Sequence, residues 1–430
     1  MSEILWYIGG VLFVALGIGF SIGWHELGHL LPAKLFGIKV PRYMIGFGPT
    51  IWSRKRGETE YGIKAIPLGG YITMIGMYPP AKPGAKPRKG FGAEAIESAR
   101  EAHNEHVGPG DENRKFYQLP IYKRIIIMFG GPFMNLILGV VLTLVAFGGI
   151  GTYVSSTKIA EVSDCVPHDF VNQVSCEDAD PIAPAKLSGL QANDNVLAVN
   201  GNKVKNWNQI TEYAESNAGE LVFTVQRGNE TLDIDITPAM VERPVATASG
   251  KTELQLKPYF GVVLDSVRQS QDVQKSLDYS ARAVGSTFEL MATLPVQVVG
   301  LVSNTISGEE RDVNGPISVI GIGQVAGEIA SDSNADWVDK LGSGLMMLAS
   351  LNFALFAFNM IPLLPLDGGH IAGAIYESIK KGIWRLLRKP NPGPADTALL
   401  MPITYVVTVA LIAMSLILIL VDLINPVSLG

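Results

Sequence analysis

Four long stretches of this chain contain no charged side chain, and they constrain its fold more than any other feature. Each has about 20 residues or more, the length that a helix needs to cross a bilayer. The four stretches are Ile4–Trp24, Ile125–Thr157, Leu341–Leu366 and Thr397–Val421. A signal peptide is not expected at the first, because no Lys or Arg precedes Lys34. The chain is predicted to be a polytopic α-helical membrane protein with four transmembrane helices.

The overall composition supports this class. Of the 430 residues, 17% are charged, whereas about 25% is usual in a soluble domain. The chain has 34 Lys and Arg against 40 Asp and Glu, which gives a net charge of −6. Because nucleic-acid binding relies on a strongly basic surface, no nucleic acid partner is expected.

The distribution of positive charge predicts the orientation of the chain. Residues 34–124 contain 16 Lys and Arg against 8 Asp and Glu, whereas residues 151–341 contain 13 against 26. Cytoplasmic loops carry the excess of Lys and Arg. The loops after the first and third spans are therefore expected in the cytoplasm, with both termini and residues 151–341 outside.

The outward region carries the pattern of a small β-rich domain. Residues 185–201 predict a turn, a strand and an Asn-Gly hairpin turn, and residues 221–236 predict two strands around Gly228. The spacing of Ala185, Gly189-Leu190, Asp194 and Asn200-Gly201 resembles that of bacterial PDZ domains, which bind peptides at a sheet edge. A β-rich domain without a peptide groove is the alternative.

Both cysteines of the chain, Cys165 and Cys176, lie in the same outward region. Outside the cytosol a disulfide persists, and one closing a loop of about 12 residues stabilises a domain by roughly 3 kcal/mol in the chain-entropy model. A Cys165–Cys176 disulfide is expected.

These features divide the chain into eight segments. Transmembrane helices are expected at 1–36, 121–150, 341–370 and 402–424. Cytoplasmic loops are expected at 37–120, with a β-hairpin followed by a flexible segment, and at 371–401. The outward residues divide into an inserted α+β PDZ-like domain at 151–241 and a further segment at 242–340.

A metal-binding motif, His25-Glu26-Leu27-Gly28-His29, ends the first span. On a helix, His25 and His29 lie on one face, and zinc hydrolases use two such imidazoles together with a carboxylate that takes a proton from water. Ionisable side chains at the end of an apolar helix are costly in lipid, so they are expected to be functional. A helix end whose side chains reach the membrane interface is the alternative.

A third ligand is expected, because a catalytic zinc usually has three protein ligands. Asp367 is the candidate, since it follows the third span at the same predicted membrane level as His25 and His29. Pro362 and Pro365 interrupt the helix there. His370, three residues further on, is a rival ligand.

Taken together, these motifs resemble the site-2 protease family of intramembrane zinc metalloproteases, in its bacterial RseP-like form. The residues that carry the resemblance include the histidine motif and Asn359–Asp367-Gly368. Gly131-Pro132-Phe133-Met134-Asn135, Pro67–Tyr71 and the PDZ-like domain agree with it. The resemblance extends over about residues 1–425, and it differs from the enterobacterial proteins in having one PDZ-like domain where they have two.

The resemblance implies that His25, His29 and Asp367 bind one zinc ion and that Glu26 is the general base. It also implies that Asn359 and Pro362 help to hold the substrate backbone, and that the hairpin at residues 40–75 pairs with an unwound substrate. The implied site is near the cytoplasmic side of the bacterial inner membrane. The implied substrates are single-span proteins already trimmed outside, such as anti-sigma factors in a stress response, or remnant signal peptides.

Three other functions fit parts of the sequence. A membrane zinc protease with a cytosolic active site would need a charged catalytic domain after the motif, and none follows it. A catalytically inactive adaptor displaying a PDZ domain would not need His25, Glu26, His29 and Asp367 together. A metal transporter would place ligands along a path through the spans.

Overall fold

The computed structural model describes residues 2–81, 90–168, 176–217, 219–246, 252–308, 311 and 315–427. The helices are α1 Ser2–Leu35, α2 Phe91–Asn104, α3 Ile121–Leu144, α4 Pro184–Ser188, α5 Trp207–Ser216, α6 Val273–Ser307, α7 Val319–Ser331, α8 Trp337–Asn359, α9 Asp367–Leu386 and α10 Met401–Ile424; a π-helical segment extends α3 to Ile150. The strands are β1 Arg42–Arg56, β2 Thr59–Thr73, β3 Thr152–Val162, β4 Asn195–Val199, β5 Asn202–Lys203, β6 Leu221–Arg227, β7 Glu230–Ile236, β8 Ala239–Ala246, β9 Thr252–Tyr259 and β10 Val262–Gln269. They form two compact units, residues 1–150 with 271–430 and residues 151–270.

In the described part of the first unit, five helices are long and apolar enough to cross a membrane. They are Glu3–Leu35, Ile121–Ile150, Val273–Ser307, Trp337–Asn359 and Thr397–Ile424. The chain is therefore a multi-pass membrane protein. The four charge-free stretches correspond to four of these helices, and the fifth, α6, was missed because charged residues between Lys275 and Glu289 interrupt its apolar residues.

Helices α1 and α3 are antiparallel and pack closely. A side chain at Gly28 would overlap the backbone of Gly130, and one at Gly130 would overlap Gly28. At the other end of the pair, Val14 lies in a cluster with Leu142 and with Leu348 of α8. Because glycine lets two backbones approach, the end of α1 that carries the histidine motif is held against the first half of α3.

The segment after α1 forms a folded-back antiparallel sheet from β1 and β2. Tyr43, in the first half of β1, pairs with both Tyr61 and Ile72, so this half lies between the two halves of β2. The hydroxyl of Tyr43 donates a hydrogen bond of 2.6 Å to the carbonyl oxygen of Gly23. The sheet therefore rests on α1 within one turn of the histidine motif.

The second unit is a β-sheet with a helix on it. The strand order is β10-β3-β4-β6-β7, with β5 beside β4, and the core of buried residues includes Ile210 of α5 and Phe223 of β6. Buried Asp194 binds Arg227 and the backbone N–H of Gln191. Burial alone would raise the pKa of Asp194, but these hydrogen bonds hold that pKa below its usual value.

The structure bears on two expectations about residues 151–340. The Cys165–Cys176 disulfide is formed, with Cα atoms 5.8 Å apart, so that prediction is confirmed. The boundary at 241 is too early, because β10 pairs with β3 from Val262↔Val162 to Gln269↔Thr152 and completes the sheet. The alternating pattern of apolar residues that predicts β4 to β7 does not show that β10 pairs with β3.

Candidate metal centre

Two imidazoles from one face of α1 point at each other. The Nε2 atoms of His25 and His29 are 3.2 Å apart. Between them in sequence, Glu26 is 8% exposed and lies against Gly70 of β2. The spacing of residues along one helix accounts for this part of the arrangement.

A third side chain reaches the same point from a distant part of the chain. The Oδ2 atom of Asp367 is 3.2 Å from Nε2 of His25 and 3.3 Å from Nε2 of His29. Asp367 is the first residue of α9, after the break that contains Pro362 and Pro365. A side chain at Gly368 or Gly369 would overlap the backbone of this break, so the two glycines let α9 start against it.

The three atoms form a triangle of the size that a tetrahedral zinc requires. Ligand atoms about 2.0–2.1 Å from zinc lie roughly 3.3–3.4 Å from one another in that geometry. The Oδ2 atom of Asp367 is buried and has no hydrogen-bond donor among the described residues. A cation between the three atoms would satisfy it, and the residues therefore fit a metal ion.

The other nitrogen of each imidazole faces a fixed acceptor. Nδ1 of His25 is 2.6 Å from Oδ1 of Asn135, and Nδ1 of His29 is 2.7 Å from the carbonyl oxygen of Ile127. A protonated Nδ1 donates to each acceptor and leaves the lone pair of Nε2 directed toward Asp367. Both acceptors belong to α3, so the packing of α1 on α3 also orients the two imidazoles.

A buried polar chain continues behind His25. The side-chain nitrogen of Asn135 donates to Oδ1 of Asn352 at 2.8 Å, and the side-chain nitrogen of Asn352 donates to the hydroxyl of Ser21 at 2.9 Å. These three residues are almost fully buried and join α3, α8 and α1. Asn352 and Ser21 were not predicted from the sequence; the available signal was an amide and a hydroxyl within apolar spans.

Replacing Asn135 by Leu should weaken zinc binding by about 10- to 100-fold, the usual effect of removing a hydrogen-bond partner of a metal ligand. The imidazole of His25 would lose its fixed orientation, and Asn352 would lose a partner. Zinc affinity measured by competition with a chromogenic chelator checks this. Asn304→Leu, at an exposed position of α6, is the control. An Asn135→Leu protein with unchanged affinity would contradict the orienting role.

The remaining predicted site residues lie around the break between α8 and α9. Asn359 is the last residue of α8, and its side chain donates to the carbonyl oxygen of Leu355 at 3.0 Å. Pro362 lies within the break. His370 does not join the triangle; its ring lies 6.2 Å from the ring of Tyr78 and lines a small cavity with Arg124.

The second half of β2 borders the site. A side chain at Gly70 would meet Cγ of Glu26 at 2.9 Å and a side-chain carbon of Ile22 at 2.8 Å. Residues 70–73 pair with the first half of β1, and no strand pairs with their other edge among the described residues. This part of β2 therefore contacts Glu26 and has one unpaired edge among the described residues.

Comparisons with known proteins show the family of this chain. Residues 13–387 match peptidase family M50. Zinc metalloprotease Rip1 of Mycolicibacterium smegmatis is 33% identical over 439 residues, which cover 97% of this chain and 98% of that protein. Zinc metalloprotease Rip1 of Mycobacterium tuberculosis is 30% identical over 437 residues, 98% of this chain and 99% of that protein. Metalloprotease MmpA of Caulobacter vibrioides is 26% identical over 379 residues, 83% of each chain.

The candidate membrane helices and the group of His25, His29 and Asp367, which could hold a metal ion, fit a membrane-embedded metalloenzyme, and its zinc metalloprotease relatives imply zinc as the metal. The chain belongs to peptidase family M50, the site-2 proteases. It is a zinc metalloprotease that acts on membrane-embedded substrates in a lipid bilayer.

Proposed function

We propose that this chain hydrolyses peptide bonds within the transmembrane segments of single-span proteins, using zinc held by His25, His29 and Asp367. One observation carries the proposal. The three ligand atoms lie 3.2–3.3 Å apart at a point shared by α1, a candidate span, and the break that follows α8, another candidate span. A water-dependent reaction centre at that depth can act on a bond that lies within the bilayer.

Bound zinc supplies a Lewis acid that polarises a peptide carbonyl and lowers the pKa of water. Glu26 is the proposed general base, because its carboxylate is buried beside both imidazoles and is not one of the three ligands. Glu26 takes the proton from the attacking water and delivers it to the leaving nitrogen.

The substrate is proposed to bind as an added strand along residues 70–73. A transmembrane helix hides its peptide bonds in its own hydrogen bonds and must become extended before water can attack. The open edge of β2 can form backbone hydrogen bonds with an unwound substrate, in the part of the strand that contacts Glu26. The break after Asn359, with Pro362, is proposed to contact the same segment from the opposite side.

Four of the five candidate helices are proposed to cross the membrane. Just before α6, the backbone N–H of Gln271 donates a hydrogen bond to the carbonyl oxygen of Phe147 at the end of α3. Shortly after α6, Arg311 forms a salt bridge with Asp422 at the end of α10. The ends of α3 and α10 both lie near the first half of α1. For α3, Leu142 packs against Val14; for α10, Asp422 contacts α7, which packs on α1. With both ends of α6 on one side, four spans remain.

Four spans place both termini on the same side of the membrane. The excess of Lys and Arg in residues 34–124 then supports a cytoplasmic location for β1, β2 and the nearby end of α1. The reaction centre is accordingly proposed to be closer to the cytoplasmic face of the bacterial inner membrane, with residues 151–270 outside.

Residues 151–270 are proposed to be a PDZ-like domain that selects substrates already trimmed outside. One face of α5, with Trp207, Thr211 and Glu215, lines a cavity of about 420 Å³ together with residues 257–262, which form the end of β9 and the turn into β10. The turn leads into β10, an edge strand of the described sheet. A helix beside an open strand edge is the arrangement that binds an extended peptide.

Replacing residues 152–269 by a short Gly-Ser linker tests this selection. Thr152 and Gln269 are paired neighbours, so a short linker joins the remaining ends without strain. The shortened protein should cleave a reporter with an intact outer domain about as fast as a trimmed one. The wild type should cleave only the trimmed reporter. Equal activity of both proteins on the trimmed reporter is the control, and a shortened protein that still rejects the intact reporter would contradict the selection role.

A further inference from the structure

One face of α9 exposes a continuous stripe of apolar side chains. Ile375, Ile379, Ile383 and Leu386 follow one another at steps of four, four and three residues, which places them on one side of a helix. Their exposed fractions are 47%, 58%, 47% and 83%. A contiguous apolar surface of this kind marks an interaction site.

A different face of α9 already packs on the protein. Ile371 and Ala374 are buried, and buried Glu377 pairs with Arg124 of α3 at 2.7 Å. The exposed stripe is thus a second apolar face. It is not the surface of a membrane-crossing helix, because α9 is not among the helices of sufficient length and apolarity in the described chain.

The last turns of α9 and the residues after it are strongly basic. The basic side chains are Lys380, Lys381, Arg385, Arg388 and Lys389, and no Asp or Glu occurs from residue 378 to residue 395. Trp384 lies among them, with Nζ of Lys380 5.4 Å and Nζ of Lys389 5.7 Å from the centre of its ring. Basic and aromatic side chains beside an apolar stripe are typical of a helix that lies in a membrane interface.

We propose that α9 lies in the inner leaflet and binds the headgroups of anionic phospholipids. The apolar stripe contacts acyl chains while Lys380, Arg385 and Lys389 contact phosphate. A lipid surface matches both features at once, whereas a soluble acidic partner would match only the charge. The location in the inner leaflet rests on the proposed function.

Lipid binding would also steady the metal centre. Asp367 is the first residue of α9, and its carboxylate reaches the two imidazoles from that position. A helix anchored in the interface along its length holds its first residue at a fixed depth. Anionic lipid is therefore a structural partner of the third ligand.

The test compares two double variants that remove the same two lysine charges. Lys380→Gln/Lys389→Gln changes α9, and Lys203→Gln/Lys205→Gln changes exposed positions in the second unit. The full chain is purified from membranes supplied with equal phosphatidylglycerol and phosphatidylcholine, and retained lipids are counted by native mass spectrometry. This readout does not require proteolysis, so it can fail or succeed independently of the proposed activity.

The wild type and the second-unit variant should retain phosphatidylglycerol preferentially. The α9 variant should lose at least about fivefold of that preference, since each basic residue near an anionic surface contributes roughly that factor. Lys380→Arg/Lys389→Arg should keep it, which separates charge from folding. Equal preference in all variants would overturn the proposal. So would Trp384 fluorescence, obtained by difference against Trp384→Phe, that brominated lipids fail to quench.

Discussion

Glu26→Gln should abolish peptide hydrolysis and leave the zinc content unchanged. General acid–base catalysis contributes about 10²- to 10⁴-fold to a rate, and an amide can neither accept the proton from water nor return it to the leaving nitrogen. The triangle of ligand atoms does not include Glu26, so the substitution should not change the affinity for zinc. The cleavage rate of a trimmed single-span reporter and the zinc content by atomic spectroscopy, on the same preparation, check both halves.

The control for this substitution is Glu94→Gln, at an exposed position of α2, which should cleave like the wild type. Two results would count against the assignment. Cleavage by Glu26→Gln within a factor of about ten of the wild type would remove the general-base role, because that loss is smaller than proton transfer supplies. If Glu26→Gln lost its zinc together with its activity, Glu26 would be needed for zinc binding.

Asp367→Asn should reduce both zinc and activity. The substitution replaces a carboxylate by a neutral amide at the atom that lies 3.2 and 3.3 Å from the two imidazole nitrogens. Loss of a direct ligand should exceed the 10- to 100-fold effect of losing an outer hydrogen-bond partner. Zinc affinity by chelator competition measures it, with Asp235→Asn, at an exposed position of β7, as the control.

A full zinc content together with full activity in Asp367→Asn would place the third ligand elsewhere. His370 would then be the nearest alternative, although its ring lies against Tyr78 in the structure. If Asp367→Asn alone keeps its zinc, the double variant Asp367→Asn/His370→Ala tests whether His370 is the third ligand. Loss of zinc in the double variant would identify His370, and retained zinc would exclude it.

The histidine motif could be predicted because its signal is local, and Asp367 could be paired with it from the predicted order of the spans. His25 and His29 lie four residues apart on one helix, and Asp367 follows a charge-free stretch at a helix break. The membrane class followed from the absence of charge, which a bilayer enforces. The histidine motif and the charge-free stretches need only a short window of sequence, whereas the choice of Asp367 also needs the predicted orientation of the spans.

The surroundings of the site could not be predicted in this way. Asn352 reaches Asn135 across 217 positions in sequence, and such a contact depends on the packing of α3 against α8. The strand edge at residues 70–73 lies beside Glu26 because β1 fits between the two halves of β2. No pattern within either strand specifies that arrangement.

One helix, α6, and one boundary, the end of α8, were not predicted from the sequence. The first half of α6 mixes apolar and charged residues, so a search for charge-free stretches passed over it. The third span was expected to continue to residue 370, whereas α8 ends at Asn359 and Asp367 begins a new helix. Pro362 and Pro365 indicated a break, but the two prolines do not show that the chain resumes as a separate basic helix.

The position of the cleaved bond decides whether the reaction takes place within the membrane. A trimmed single-span reporter is incubated in lipid nanodiscs with the wild type and with Glu26→Gln, and both product termini are identified by mass spectrometry. The account predicts one major bond inside the apolar segment of the reporter, cut by the wild type alone. Cleavage confined to the charged residues outside that segment would contradict an intramembrane reaction.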